Sequence, residues 1–148
     1  MAAISAFPDL LGQVIQGVYG DDVTFTADGA ILAGQIVTTG SSTGEVKVAP
    51  ADNSALPLGV AIADAADGQL VSIRVTGIAY VANGDDTTAI AQGVIVKVGT
   101  FAGAVVTSAT YGAASGFVAG ITLDAIAASG TGRIVIGPAY APKAAAET

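Results

Sequence analysis

LPLGVAIADAADGQLVSIRVTGIAYV, residues Leu56–Val81, is punctuated by glycine, nearly free of large side chains, and passes into an alternation of apolar and polar residues. The chain says nearly the same again as GFVAGITLDAIAASGTGRIVIGP, Gly116–Pro138. Within the first copy, LVSIRVT (Leu70–Thr76) has the two-residue period of a half-buried strand. The preceding ADGQ (Ala66–Gln69) is a turn signal, because Asp and Gly supply the side-chain bonds and positive φ that tight turns require. Aligning LGVAIADAADGQLVSIRVTG with AGITLDAIAASGTGRIVIGP brings Gly59 over Gly120, Gly68 over Gly130, and the strand of Arg74 beside that of Arg133.

The same pattern extends outward. VTFTA (Val23–Ala27) and EVKVA (Glu45–Ala49) alternate like strands, and ADG, TGSSTG, NGDD, FAGA (Phe101–Ala104) and ASGTG supply turns between such windows. All five prolines, at positions 8, 50, 57, 138 and 142, fall outside the alternating windows, as strands that need every N–H for pairing demand. GDDVTFTADGAILAGQIVTTG (Gly20–Gly40) also lines up with GDDTTAIAQGVIVKVG (Gly84–Gly99) after five residues are dropped from the first. Gly34 and Gly93, Ile36 and Ile95, and Val37 and Val96 then coincide. These features predict an all-β, barrel- or sandwich-like domain built from a duplicated β unit over residues 20–137, with repeats of about 20–82 and 83–137. A sheet too small to cover its own apolar face gains a core by stacking on its copy.

Two ends lie outside the repeats. In FPDLLGQVIQG, the residues Leu10, Leu11, Val14, Ile15 and Val18 share one helical face, with Pro8 suited to a first turn and Gly17 to a stop. Gly12 costs such a helix about 1 kcal/mol relative to Ala, so residues 1–19 form either a short helix that needs a docking surface or an extended arm. Residues 138–148, beginning PAYAPKAAAET, read as a flexible tail that orders on contact.

Composition narrows the function. Five basic residues face twelve acidic ones, for a net charge of -7 in 148 residues, and the pI is near 4.1. Binding a phosphate backbone takes clustered Lys and Arg, so nucleic acid and anionic membrane are poor partners. The start MAAISAFPDLL lacks the basic first region of a secretory signal. Val98–Leu123 is uncharged, but Gly, Ser and Thr interrupt each apolar run, unlike the ~20 apolar residues of a spanning helix. The mean hydropathy of +0.68 therefore reflects small apolar residues suited to closely packed sheets and subunit contacts.

Reactive chemistry finds little footing. Without cysteine there is neither disulfide nor thiolate metal site, and without histidine the commonest general base is missing. The carboxylate pairs Asp21 and Asp22, Asp85 and Asp86, and Asp64 and Asp67 could hold calcium or act as acid and base, but no loop has the EF-hand alternation. They read as solvated turns. No G-x-S-x-G elbow is present to activate a serine, and Lys47, Lys97 and Lys143 are not placed beside one by sequence. The glycine-rich stretches lack a P-loop lysine. Tyr19, Tyr80, Tyr111 and Tyr140 could line a sugar platform, or fill core edges and interfaces. Arg74 and Arg133 either pair with carboxylates across a subunit boundary or face solvent. No enzyme activity, cofactor or resident metal is expected.

The succession LPLGVAIADAADGQLVSIRVTGIAYV, IAQGVIVKVG and GFVAGITLDAIAASGTGRIVIG resembles the capsid decoration, or cement, proteins of tailed bacteriophages, small Ala- and Gly-rich β proteins. The likeness spans Ile31–Gly137. It implies a structural virion protein, made in the host cytoplasm and seated on the outer surface of an expanded capsid. There it would clamp neighbouring major capsid proteins as a homo-oligomer, usually a trimer. Capsid-binding residues are then expected in the amino-terminal arm, at Ile4, Phe7, Pro8, Leu10 and Leu11, and subunit contacts at Arg74 and Arg133. A self-assembling tail or surface-layer subunit is the alternative reading, with a carbohydrate-binding module behind it.

Overall fold

A computed structural model describes residues 20–51, 54–99, 101–107 and 116–141. Among them the chain is all-β. The strands are β1 (Gly20–Ala27), β2 (Ile36–Thr39), β3 (Glu45–Val48), β4 (Gly59–Ala61), β5 (Leu70–Ala82), β6 (Ile95–Gly99), β7 (Phe101–Thr107), β8 (Gly116–Thr122) and β9 (Thr131–Ala141). The windows VTFTA and LVSIRVT lie in β1 and β5, and the first four residues of EVKVA form β3. The amino-terminal helix or arm falls outside the described residues.

All nine strands join one sheet in the order β1-β3-β2-β4-β5-β9-β8-β6-β7. It closes on itself twice. Antiparallel pairing of β1 with β5 completes a five-stranded ring of β1, β3, β2, β4 and β5. A parallel bridge from Asn83, just after β5, to Val105 of β7 completes a second ring of β5, β9, β8, β6 and β7. The duplicated unit is thus a small barrel, and closure leaves fewer strand edges open to stray pairing.

The long strand β5 belongs to both barrels. Its first half pairs with β1, Phe25 opposite Val71 and Val23 opposite Ile73. Its second half pairs with β9 in the same register, Val81 opposite Gly132 and Ala79 opposite Ile134. The last strand of the first unit is therefore continuous with the first strand of the second, and the expected boundary at residues 82 and 83 falls at the end of a strand that both units use. GDD at Gly84–Asp86 is consequently not the counterpart of GDD in β1; it is loop, and the true counterpart of β1 is the second half of β5.

Backbone bonds repeat between the units. Ile31 and Ala65 exchange N–H···O bonds of 2.9 and 2.8 Å, and Ile90 and Ile126 exchange two of 2.8 Å. In β4 Val60 faces Arg74, and in β8 Ile121 faces Val135. This register corrects two equivalences. Arg74 corresponds to Val135, and Arg133 to Ser72. Gly68 corresponds to Ser129, since Gln69 N–H bonds Ala66 and Gly130 N–H bonds Ala127 in the same turn. Both take positive φ, 77° at Gly68 and 54° at Ser129, so a serine holds a conformation that favours glycine. The equivalence of Gly59 and Gly120 is physical: a Cβ at either would strike the carbonyl oxygen of Arg74 or Val135 on the adjoining strand.

Each barrel has its own interior. Val37, Val46, Val71 and Ile73 fill the first with Ile31 and Ala65, and Val96, Val105 and Ile134 occupy matching places in the second with Ile90 and Ile126. Volume is exchanged within the pattern, Val71 and Ala65 in one being replaced by Gly132 and Ile126 in the other. Ile36, Ala49 and Val60 point out of the first barrel and pack with Ala79, Val98, Ala119 and Ile136 in the core cluster of the second. The expected gain of a core by stacking on a copy describes this contact, but each unit also closes around residues of its own.

Two local expectations change. FAGA is not a hairpin turn; it opens β7, and Gly103, at φ 74°, sends its N–H 2.9 Å to the carbonyl of Ala49 in the first barrel. Pro138 lies inside β9, which continues to Ala141, beside the register shift between Val118 and Gly120 of β8. A bulge is one of the few places where a strand accommodates proline.

Candidate functional site

Five of the six carboxylates singled out from the sequence hold loops and strands, and the sixth, Asp86, is exposed. Asp22 grips Arg74 with both oxygens, Oδ1 2.8 Å from Nε and Oδ2 3.1 Å from Nη2, while Nη1 donates to the carbonyl of Ile78 at 3.1 Å. The hydrogen bonds from the guanidinium hold the Asp22 carboxyl below its usual range. Asp21 accepts from Thr76 Oγ1 at 2.9 Å. Asp64 and Asp67 accept the N–H groups of Ala33 and Gly29, tying the turn before β5 to the loop after β1. Asp85 Oδ1 accepts from Thr87 N–H, Thr87 Oγ1 and Thr88 N–H, which lowers its pKa, first through the Thr87 N–H. Among the described residues no three acidic side chains converge as metal ligands.

Arg133 forms the second ion pair. Its Nε lies 2.8 Å from Asp124 Oδ2 and its Nη2 2.7 Å from Oδ1. The Arg133 N–H adds a bond of 3.0 Å to Oδ2. The arginine side chain is the main cause that brings the Asp124 carboxyl down to about 2, with the backbone bond adding to it. Both arginines are thus held by carboxylates of their own chain, a third arrangement beside the two that the sequence left open. Tyr80 sits opposite Arg133 on β5, half-exposed. Tyr19 and Tyr111, with Ile4, Phe7, Pro8, Leu10, Leu11 and Lys143, lie outside the described residues, as does the side chain of Tyr140. Lys47 stands exposed on β3, and Lys97 half-buried on β6.

What the surface does offer is apolar. A shallow groove of about 290 Å³ runs between the end of β4 and the second half of β5, lined by Ala33, Gly34, Ile62, Tyr80 and Val81 among others. Away from it, Ile121 and Val135 stand side by side on the outside of the second barrel, both half-exposed. Their counterparts in the first barrel, Val60 and Arg74, are buried. Sequence reading missed this face. Its signal is the run Ile134–Val135–Ile136, where strict alternation would place a polar residue at the centre, as Arg74 stands between Ile73 and Val75.

Tandem barrels whose arginine–carboxylate pairs brace strands, and which expose apolar side chains such as Ile121 and Val135, suit a protein that works by contact. The model of the phage cement protein family matches residues 15–138. The chain belongs to that family, and with it to the structural proteins of the phage capsid. A solved structure described as the head fiber gp8.5 N base in bacteriophage phi29 has the same fold, with a TM-score of 0.60 at 19% identity over 79% of this chain and 93% of that one. No curated protein matches the chain.

Proposed function

We propose that this protein binds the outer surface of an expanded phage capsid as a homotrimer and clamps neighbouring major capsid proteins, stabilising the head. The observation that carries the reading is the family match across nearly the whole barrel pair. The surface is compatible with it. A net charge of -7 favours the side of the shell away from packaged DNA, and exposed apolar side chains such as Leu32 and Leu70 offer contact area. Linked contacts from several subunits would hold the protein without any one of them being strong. Shell binding is assigned to the amino-terminal segment containing Ile4, Phe7, Pro8, Leu10 and Leu11.

The test is co-sedimentation of the purified protein with expanded, undecorated shells. Saturable binding at a fixed ratio to capsid protein, with shells that then resist heating, is expected. Absence of binding to expanded shells refutes the proposal. Deleting residues 1–8 should weaken binding while leaving the barrels folded, and undiminished binding would remove the arm from the shell contact.

A further inference from the structure

The two barrels are equivalent in backbone and unequal in exposure, and the inequality follows one rule. Ile36 and Val60 on the outside of the first barrel are each 1% exposed, because they pack against the end of the second. At the matching places on the second barrel, Ile95 is half-buried and Ile121 is 47% exposed. Val135, the counterpart of buried Arg74, is 41% exposed beside it.

The end of the barrel shows the converse. Ala79 and Ala119 at the end of the second barrel are 1% and 2% exposed under the first barrel's outer face. Their counterparts at the end of the first barrel are Val23, 43% exposed, and Leu58, half-buried. Val75, the counterpart of buried Ile136, is half-buried there too.

We propose that copies of this chain join head to tail, the Ile95–Ile121–Val135 face of one seating on the Val23–Leu58–Val75 end of the next. The contact repeats between chains the one that already joins the two barrels within a chain. What covers such a face is therefore on view in the molecule itself: the end of another barrel of the same kind. Both surfaces are apolar, as the internal contact is, with Val23 and Leu58 at the free end standing where the internal contact has the smaller Ala79 and Ala119. Two different patches meet, so the contact is heterologous, and its repetition closes a ring or continues as a filament according to its rotation. A trimer closed in this way is a ring of barrels in which every outer face is covered. The inference rests on the homotrimer proposed above, and assembly is read without shells, so a monomeric wild type would remove the trimer while shell binding is tested separately by co-sedimentation.

The experiment uses light scattering on the full chain and on two variants, Ile121→Lys and Val23→Lys, each at a site exposed enough to keep its strand spectrum by circular dichroism. The wild type is expected to be a discrete oligomer, each variant alone a monomer, and their equimolar mixture a dimer, because one intact face then meets one intact end. A monomeric wild type overturns the proposal, as does either variant that keeps the wild-type oligomer or self-associates, or a mixture of folded variants that stays monomeric. Val135→Ser replaces Ile121→Lys should that variant not fold. Loss of assembly on deletion of residues 1–19, with both faces unaltered, would assign the face to that segment and also overturn it.

Discussion

Gly132 and Ile126 show how one barrel pattern accepts two different fillings. A Cβ at Gly132 would lie 2.5 Å from Ile126 Cγ1, whereas the first barrel has Val71 and Ala65 at the same places. Gly132→Val should therefore destabilise by about 1–3 kcal/mol through overpacking. Adding Ile126→Ala, which alone costs about 2–5 kcal/mol, should recover part of that loss, so the double variant melts higher than additivity predicts. Asn83 and Thr122 replace Ala27 and Ala61 of the first interior, and both are satisfied. Asn83 Nδ2 donates to the carbonyls of Thr88 and Ala127, and Thr122 Oγ1 donates to that of Ala91 and accepts from Val94 N–H.

The ion pairs at this scale differ in worth. Asp22→Asn leaves the buried Arg74 guanidinium short of its counter-charge and should cost about 2 kcal/mol. Asp124→Asn, at a more exposed pair, should cost under about 1 kcal/mol at neutral pH. Acid distinguishes them from ordinary carboxylates. Because the folded-state pKa of Asp22 and Asp124 lies below the ordinary 3.8, the unfolded chain binds more protons between the two values, and stability falls as pH falls. The contribution is fully present above the ordinary carboxylate range and is lost for Asp124 as pH drops through about 2. Melting temperature followed from neutral pH to pH 2 should decline less steeply in Asp124→Asn than in the wild type.

At the scale of elements, β5 decides the behaviour of the fold. It is paired along both halves, by β1 and β4 at one end and β9 at the other, so its amides should be among the slowest in the molecule to exchange with deuterium. Residues 20–82 contain every strand of the first barrel and should retain partial order as a fragment, although with Ile36, Ala49 and Val60 uncovered. Residues 83–148 lack a strand of their ring and should not fold alone. Circular dichroism of the two fragments checks both. The strand windows, the turns other than FAGA and the duplication were legible because alternation and Gly or Asp turn signals are local. The sharing of β5 was not, because nothing in the period of LVSIRVTGIAYVA tells which neighbour pairs with each half. The GDD match misled for a related reason: the same three residues serve as strand in one place and as loop in the other, and long-range pairing decides.

At the scale of the molecule, each barrel is completed through β5, and the outer face of the first joins the core of the second through Ile36 and Val60. Thermal unfolding should therefore be a single transition, with calorimetric and van't Hoff enthalpies in agreement. Two separated transitions would mean that the barrels are independent. Sequence composition had indicated a protein of contacts, from its small apolar residues and lack of reactive groups, but the distribution of those contacts required the barrels to be closed. Exposure of Ile121 and burial of Val60 are consequences of which barrel follows which along the chain.

The continuity of β5 has a mechanical consequence. In the clamping role proposed above, a force drawing the two barrels apart would run along a strand whose ladders belong to both, with no linker between them to extend first. Tension along β5 acts parallel to its ladders, which must then shear together, whereas tandem domains joined by a linker would yield in succession.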